Sequence, residues 1–290
     1  METKELLKKV RKLEIKSRGL SAQLFSGQYH SAFKGRGMSF SEVREYQPGD
    51  DIRTIDWNVS ARLNHPYVKV YEEERELTIM LVVDVSGSKN FGTQVQFKMD
   101  LVTEVCAVLA FSAMQNNDKI GVIFFSDKIE KYIPPKKGKS HTLRIIRELI
   151  DFTPENKATD ISEALRFLTN IAKKRCTAFL LSDFMAKGYE PVLKIAAKKH
   201  DLVALRVVDP REETLPDAGL VRFKDAETGN SIWVDTSDRN VRKQYEVHCK
   251  KQEETINSTF ARAGVDVAML HTNRSYIQPL SNLFKRRGTR

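Results

Sequence analysis

From residue 77 to about 208, short apolar runs alternate with longer segments in which apolar residues recur every three or four positions. The runs Leu77–Asp84, Lys119–Phe125, Thr177–Ser182 and Leu202–Val208 are strand-length and nearly continuous in apolar character. That is the signature of strands buried on both faces. Ile129–Ile133 predicts a short strand in a hairpin with Lys119–Phe125. Helical spacing falls near 95–115, 140–151, 160–173 and 189–199. Such alternation predicts a doubly wound α/β fold, a mainly parallel sheet with helices on both faces. The ends of strands 77–84 and 177–182 can then meet at a switch point, which brings Asp84 and Asp183 together.

The flanks read differently. Leu6, Leu7, Val10 and Leu13 predict an amphipathic helix within residues 1–18. Residues 19–76 are punctuated by Gly27, Gly35, Gly37 and Gly49, with a turn at Gln47-Pro48-Gly49-Asp50 and an alternating strand at Tyr67–Tyr71. They predict a small β-rich subdomain. Within it, Arg44, Asp50, Asp51, Arg53 and Asp56 are read as an internal ion-pair network and Trp57 as a core anchor. The remainder, 77–290, is taken as one α/β domain. Its last part holds a hairpin, Leu220–Lys224 with Ser231–Asp235, and a long polar helix over 238–263 closed by Gly264. A strand, Val265–Leu270, and a helix, Tyr276–Phe284, complete it.

Charge changes this picture little. The chain of 290 residues carries a net +10, and residues 4–18 and 271–290 each contribute +5. A nucleic-acid-binding domain spreads its basic groups over a structured face. Basic ends instead suggest solvated flanks, with no specific nucleic-acid partner and weak membrane-surface contact at most. No apolar stretch approaches the ~20 residues of a membrane span. Cys106, Cys176 and Cys249 are far apart and odd in number, which argues against a disulfide framework or a zinc site and for a reducing cytoplasm. Cys106 shares a core-facing spacing with Val102, Val105 and Leu109. The six histidines are dispersed and read as surface or loop residues, His30 included.

The chemistry concentrates at strand ends. Asp84-Val85-Ser86-Gly87-Ser88 follows the first buried run and offers a carboxylate and two hydroxyls at alternate positions. Such an oxygen-only set suits a hard cation such as Mg²⁺. Ser and Asp also serve as ordinary helix caps after a strand. Thr159 precedes the helix near 160, where Asp160 and Glu163 suit a capping box. The run ending Ser182-Asp183 brings a second carboxylate to the end of a second strand. No phosphate-binding loop, dinucleotide fingerprint or Gly-x-Ser-x-Gly elbow is present.

Asp84-x-Ser86-x-Ser88, Thr159 and Asp183 together resemble the metal-ion-dependent adhesion site of von Willebrand factor A domains. That resemblance implies hydroxyls of Ser86, Ser88 and Thr159 close to Mg²⁺, with Mn²⁺ or Ca²⁺ as alternatives, and Asp84 and Asp183 acting largely through water. Upstream, Gly35–Phe40, Arg44–Arg53, Ile55-Asp56-Trp57, Ala61-Arg62 and Glu73–Glu76 are similar to a bacterial domain of unknown function, number 58. Many of its members have a bulky apolar residue where this chain has Lys89, and a cation there would weaken a metal site. The resemblance implies a non-enzymatic, metal-dependent protein-interaction module that takes an Asp or Glu from its partner. It further implies an adaptor for a MoxR-type AAA+ ATPase or its client. The alternative from another class is a Mg²⁺-dependent phosphohydrolase using Asp84. Against it, the second Asp such enzymes place two residues on is here Ser86.

Overall fold

The structure is a computed structural model that describes residues 11, 13–14, 17, 38–73, 77–87, 97–156, 158–224 and 230–288. These fall into two compact units, one within Phe33–Glu76 and the other formed by the rest.

The larger unit is built on a six-stranded sheet. Its strands are β3 (Thr78–Asp84), β4 (Lys119–Phe125), β5 (Ile129–Lys136), β6 (Thr177–Ser182), β7 (Asp201–Val208) and β10 (Asp266–His271), in spatial order β10-β7-β6-β3-β4-β5. All neighbours are parallel except β5, which returns antiparallel to β4. In β3 every residue from Ile79 to Asp84 is buried, the consequence of lying centrally with both faces covered. Gly121 of β4 has room only for hydrogen: a Cβ there would meet Ile133 O at 2.8 Å and Met80 Sδ at 2.9 Å.

On one face Met80, Val82, Ile123, Phe125, Ala178, Leu180 and Ala204 form a core with α4 (Ile161–Ile171), α5 (Glu190–Lys199) and α7 (Arg239–Ala263). Helix α7 is mainly polar and contributes Ile256 and Phe260. Phe260 meets the Phe184 ring edge-on at 4.8 Å. On the other face, α2 (Lys98–Gln115) and α3 (Lys139–Asp151) pack through Ala107, Phe111 and Ile146. There Phe284 of α8 (Ile277–Gly288) meets Phe179 of β6 at 6.4 Å. The doubly wound architecture expected from the apolar runs is therefore the one observed. A four-residue helix, α6 (Pro210–Glu213), follows β7 directly, and β8 (Leu220–Lys224) pairs with β9 (Ser231–Asp235) as a separate hairpin. Gly264 closes α7 at φ +69°, where a left-handed conformation favours glycine.

Of the helix expected near the N-terminus, only Arg11, Leu13 and Glu14 are described, together with Ser17. They are helical; Leu13 packs against the Phe111 cluster and Glu14 faces Lys139 at 3.5 Å. The remainder, and His30, lie outside the described residues.

The smaller unit pairs β1 (Met38–Glu45) antiparallel with β2 (Tyr67–Glu73). Between them the chain forms a 3-10 turn, Ile52–Thr54, and a helix, α1 (Trp57–Leu63), that no apolar periodicity announced. The polar landmarks hold this connection. Arg44 makes a two-pronged pair with Asp50 at 2.8 and 2.7 Å, which holds the Asp50 carboxyl below its ordinary value. Asp51 caps the turn through Arg53 N, and Asp56 caps α1 and faces Lys69 at 3.4 Å. Trp57 is not the core anchor expected: as the first residue of α1 it is 71% exposed.

Two further expectations change. Arg287, in the basic C-terminal stretch, is no solvated flank. It bonds Asp201 at 2.5 Å and Asp266 at 2.8 Å and ties α8 to the starts of β7 and β10. His200 joins α5 to β7 but is fully buried, its Nδ1 3.4 Å from Cys176 Sγ. Cys106 packs in the core as its spacing predicts, and none of the three cysteines forms a disulfide.

Burial pushes the His200 imidazole down from 6.5 to about 4. The unfolded chain therefore takes up a proton near pH 6.5, whereas the folded chain resists until near pH 4. Stability is fully present above 6.5 and is lost as pH falls, by at most about 1.4 kcal/mol per pH unit from this proton. Urea melts of wild type and His200→Gln between pH 7.5 and 4.5 check this. The variant should show the shallower slope; parallel slopes would refute the assignment.

Candidate metal centre

Three neighbouring strands end level. Asp84 of β3 stands opposite Phe125 of β4, and Val83 stands opposite Leu181 of β6. The segments that leave these ends, at the carboxyl edge of the sheet, are held by backbone hydrogen bonds from distant parts of the chain. Val85 N donates to Phe125 O at 2.7 Å, and Asp160 N donates to Ser126 O at 2.8 Å.

Asp84 is 4% exposed. A carboxylate so placed must be satisfied by donors. Ser86 N donates to its Oδ1 at 2.9 Å and the Ser182 hydroxyl to its Oδ2 at 2.6 Å. The second bond stitches the ends of β3 and β6 together. Ser182 in turn accepts from Phe184 N at 3.1 Å. Phe184 takes a left-handed conformation, φ +59°, which is strained for a bulky side chain. Its ring is buried between Tyr189 and Phe260, and that packing holds the turn. The turn lets Met185 N donate to Asp183 Oδ1 at 3.2 Å.

Asp183 Oδ2 faces the Lys98 ammonium at 3.4 Å, and Lys98 also meets Glu212 Oε1 at 2.5 Å. Burial alone would pull the Lys98 ammonium down; the charges of Asp183 and Glu212 outweigh it, and its pKa lies above the ordinary lysine value. Burial raises the Glu212 carboxyl, which Lys98 offsets only in part.

Of the five residues expected to hold a metal, Asp84, Ser86 and Asp183 lie at the carboxyl ends of the neighbouring strands β3 and β6. Thr159 is half-buried in the loop held to the end of β4, one residue before Asp160, which caps α4 through Glu163 N. Ser88 and Lys89 lie outside the described residues. The donor set has one telling feature: Ser86 Oγ is fully buried and has no hydrogen-bond partner among the described residues. An orphaned buried hydroxyl is costly, and a cation beside Asp84 would satisfy it. Among the described residues no group of three or more His, Cys, Asp or Glu could hold a metal, so any ion here would rely on hydroxyls. Ser182, Lys98 and Glu212 had no assigned role in the sequence. Ser182 was legible only as the residue before Asp183; Lys98 and Glu212 are 114 positions apart and carry no local signal.

A family model described as "Protein of unknown function DUF58" matches residues 42–255. The chain belongs to this family. The "Uncharacterized protein Rv1480" of Mycobacterium tuberculosis is 28% identical over 284 residues, 96% of this chain and 89% of its own. Among solved structures, "conserved hypothetical protein BatB" from Bacteroides thetaiotaomicron is 17% identical, over 74% of this chain and all of that one, at a TM-score of 0.47. Proximal thread matrix protein 1 from the mussel byssus "with zinc occupied MIDAS motif" is 16% identical, over 73% of this chain and 47% of that one, at a TM-score of 0.40. The likenesses to these two structures are too weak to bear on the site; membership of DUF58 rests on the family model, and the fold on the sheet topology above.

Ser182→Ala should remove at once a donor to Asp84 Oδ2 and the acceptor of Phe184 N. A hydrogen bond to a charged group contributes about 1.5–3 kcal/mol. Melting in EDTA, where metal cannot contribute, should fall accordingly; an unchanged melt would mean that Asp84 finds another donor.

Proposed function

We propose that this DUF58 chain is a protein-interaction module whose carboxyl sheet edge holds Mg²⁺, or Mn²⁺ or Ca²⁺ in its place, on Asp84, Ser86, Ser88, Thr159 and Asp183. The observation that carries this reading is the buried, unpartnered Ser86 hydroxyl beside the buried Asp84 carboxylate. When bound, the cation would supply an open coordination position for a carboxylate from another protein. The chain's own groups do the rest. Asp84, oriented by Ser86 N and Ser182 Oγ, supplies fixed negative charge, and the buried Ser86 Oγ has no hydrogen-bond partner among the described residues. Exposed Phe97 and Met185, 54% and 50%, stand one and two residues from Lys98 and Asp183 in sequence and add apolar surface for the partner.

The family resemblance directs the proposal further, to an adaptor that engages a MoxR-type AAA+ ATPase or its client through an Asp or Glu. The free thiols fit a reducing, cytoplasmic setting, and no helix among the described residues is long and apolar enough to cross a membrane. The phosphohydrolase alternative is less favoured. Both oxygens of Asp84 already accept hydrogen bonds, which blunts it as a nucleophile, and the position two residues on is a hydroxyl rather than an acid.

Two measurements test the proposal. Mg²⁺ or Mn²⁺ at ~100 times its dissociation constant should stabilise wild type by about 2.7 kcal/mol and Ser86→Ala far less; equal shifts in the two proteins would remove the site. A partner retained from native lysate should be lost with EDTA and with Asp84→Ala, while circular dichroism in EDTA stays near wild type. Full capture by Asp84→Ala would place the interaction surface elsewhere. Mg²⁺-dependent hydrolysis of an aryl phosphate that vanishes in Asp84→Asn would overturn the binding-module reading and favour the enzyme.

A further inference from the structure

The least expected group at this edge is a lysine. Lys98 opens α2 and is only 3% exposed. Lysine is almost never so buried unless paired, and here two carboxylates converge on it. One is Asp183, a member of the proposed metal set. The other, Glu212, lies on α6 and belongs to no proposed site. We infer that Lys98 is a built-in competitor for the cation: its ammonium holds Asp183 in the metal-free chain and passes wholly to Glu212 when a divalent cation engages Asp183. This inference rests on the metal reading above.

The geometry supplies each part of such an exchange. Asp183 Oδ1 is held by Met185 N, so Oδ2, the oxygen that faces Lys98, is the exchangeable one. An ammonium and a divalent cation cannot share that oxygen cheaply, because their repulsion is strong at so short a separation. Breaking a buried pair normally strands a charge. Lys98 avoids that penalty because its shorter contact, 2.5 Å, is already to Glu212. Glu212 is anchored to receive it. Asp209 N donates to its Oε2 at 3.2 Å, and the Tyr245 hydroxyl and Cys249 thiol of α7 both donate to its carbonyl, at 2.9 and 3.3 Å. The balance between Asp183 and Glu212 for one ammonium therefore sets how tightly the edge holds metal.

Calorimetric titration of Mn²⁺ into the full chain tests this, with wild type, Lys98→Met, Glu212→Gln, the double variant and Asp84→Asn. Lys98→Met should bind about tenfold tighter and Glu212→Gln several-fold weaker, since its lysine has only Asp183 left. The double variant decides between competition and a general field effect. It keeps the wild-type net charge but has no competitor, so it should also bind tighter than wild type. Melting of each variant in EDTA confirms folding, and the double variant avoids the repulsion that Lys98→Met leaves between two acids. Wild-type affinity in the double variant, whatever Lys98→Met shows, with binding still lost in Asp84→Asn, would overturn the competitor and leave the metal site standing. Mn²⁺ binding that survives Asp84→Asn, or that no variant shows, would overturn the metal site and the competitor with it.

Discussion

Asp84 is a carboxylate buried at the end of the central strand, and the arrangement of the sheet edge follows from satisfying it. A buried carboxylate without donors would cost more than a small domain can spare. Among the described residues two donors reach it, one from Ser86 two residues on and one from Ser182 on the neighbouring strand. The local bond shapes the turn that carries Ser86. The distant bond sets the end of β6 against the end of β3, so that Asp183 emerges beside Asp84 and not a residue earlier or later. A shift of one residue in that register would turn Ser182 away from Asp84.

The turn after β6 shows what this positioning requires. A phenylalanine in the left-handed region stores strain of about 1–3 kcal/mol. It persists because the Phe184 ring is locked against Tyr189 and Phe260, a contact that reaches across to α7. The same helix fixes the carbonyl of Glu212 through Tyr245 and Cys249. Helix α7 is polar along most of its length, yet it buttresses both the backbone that presents Asp183 and the acid that shares its lysine. The edge is thus supported from outside the sheet, by groups that need no contact with a ligand.

Much of the fold was legible because its signals are local. Strands buried on both faces read as continuous apolar runs. Amphipathic helices read as 3.6-residue periodicity, and Gly264 marks the end of α7. The smaller unit was harder. Its helix α1 is seven residues long, too short for periodicity, and begins with an exposed tryptophan whose size suggested a core. The Arg44–Asp50 pair was legible as polar landmarks around a turn, since both partners lie within seven positions.

The sequence by itself determined the strand-helix alternation, the Asp84-x-Ser86-x-Ser88 motif and the placing of acids at strand ends, because each depends on neighbours along the chain. It could not show that Ser182 serves Asp84, that Ser86 is left without a partner, or that a lysine is buried between Asp183 and Glu212. Those facts join residues 85 to 114 positions apart, and only the order and register of the strands bring them within hydrogen-bonding distance. The burial of His200 and the pairing of Arg287 were decided the same way. Whether a charged or titratable group faces water or a partner depends on what packs over it, and that is settled by tertiary structure.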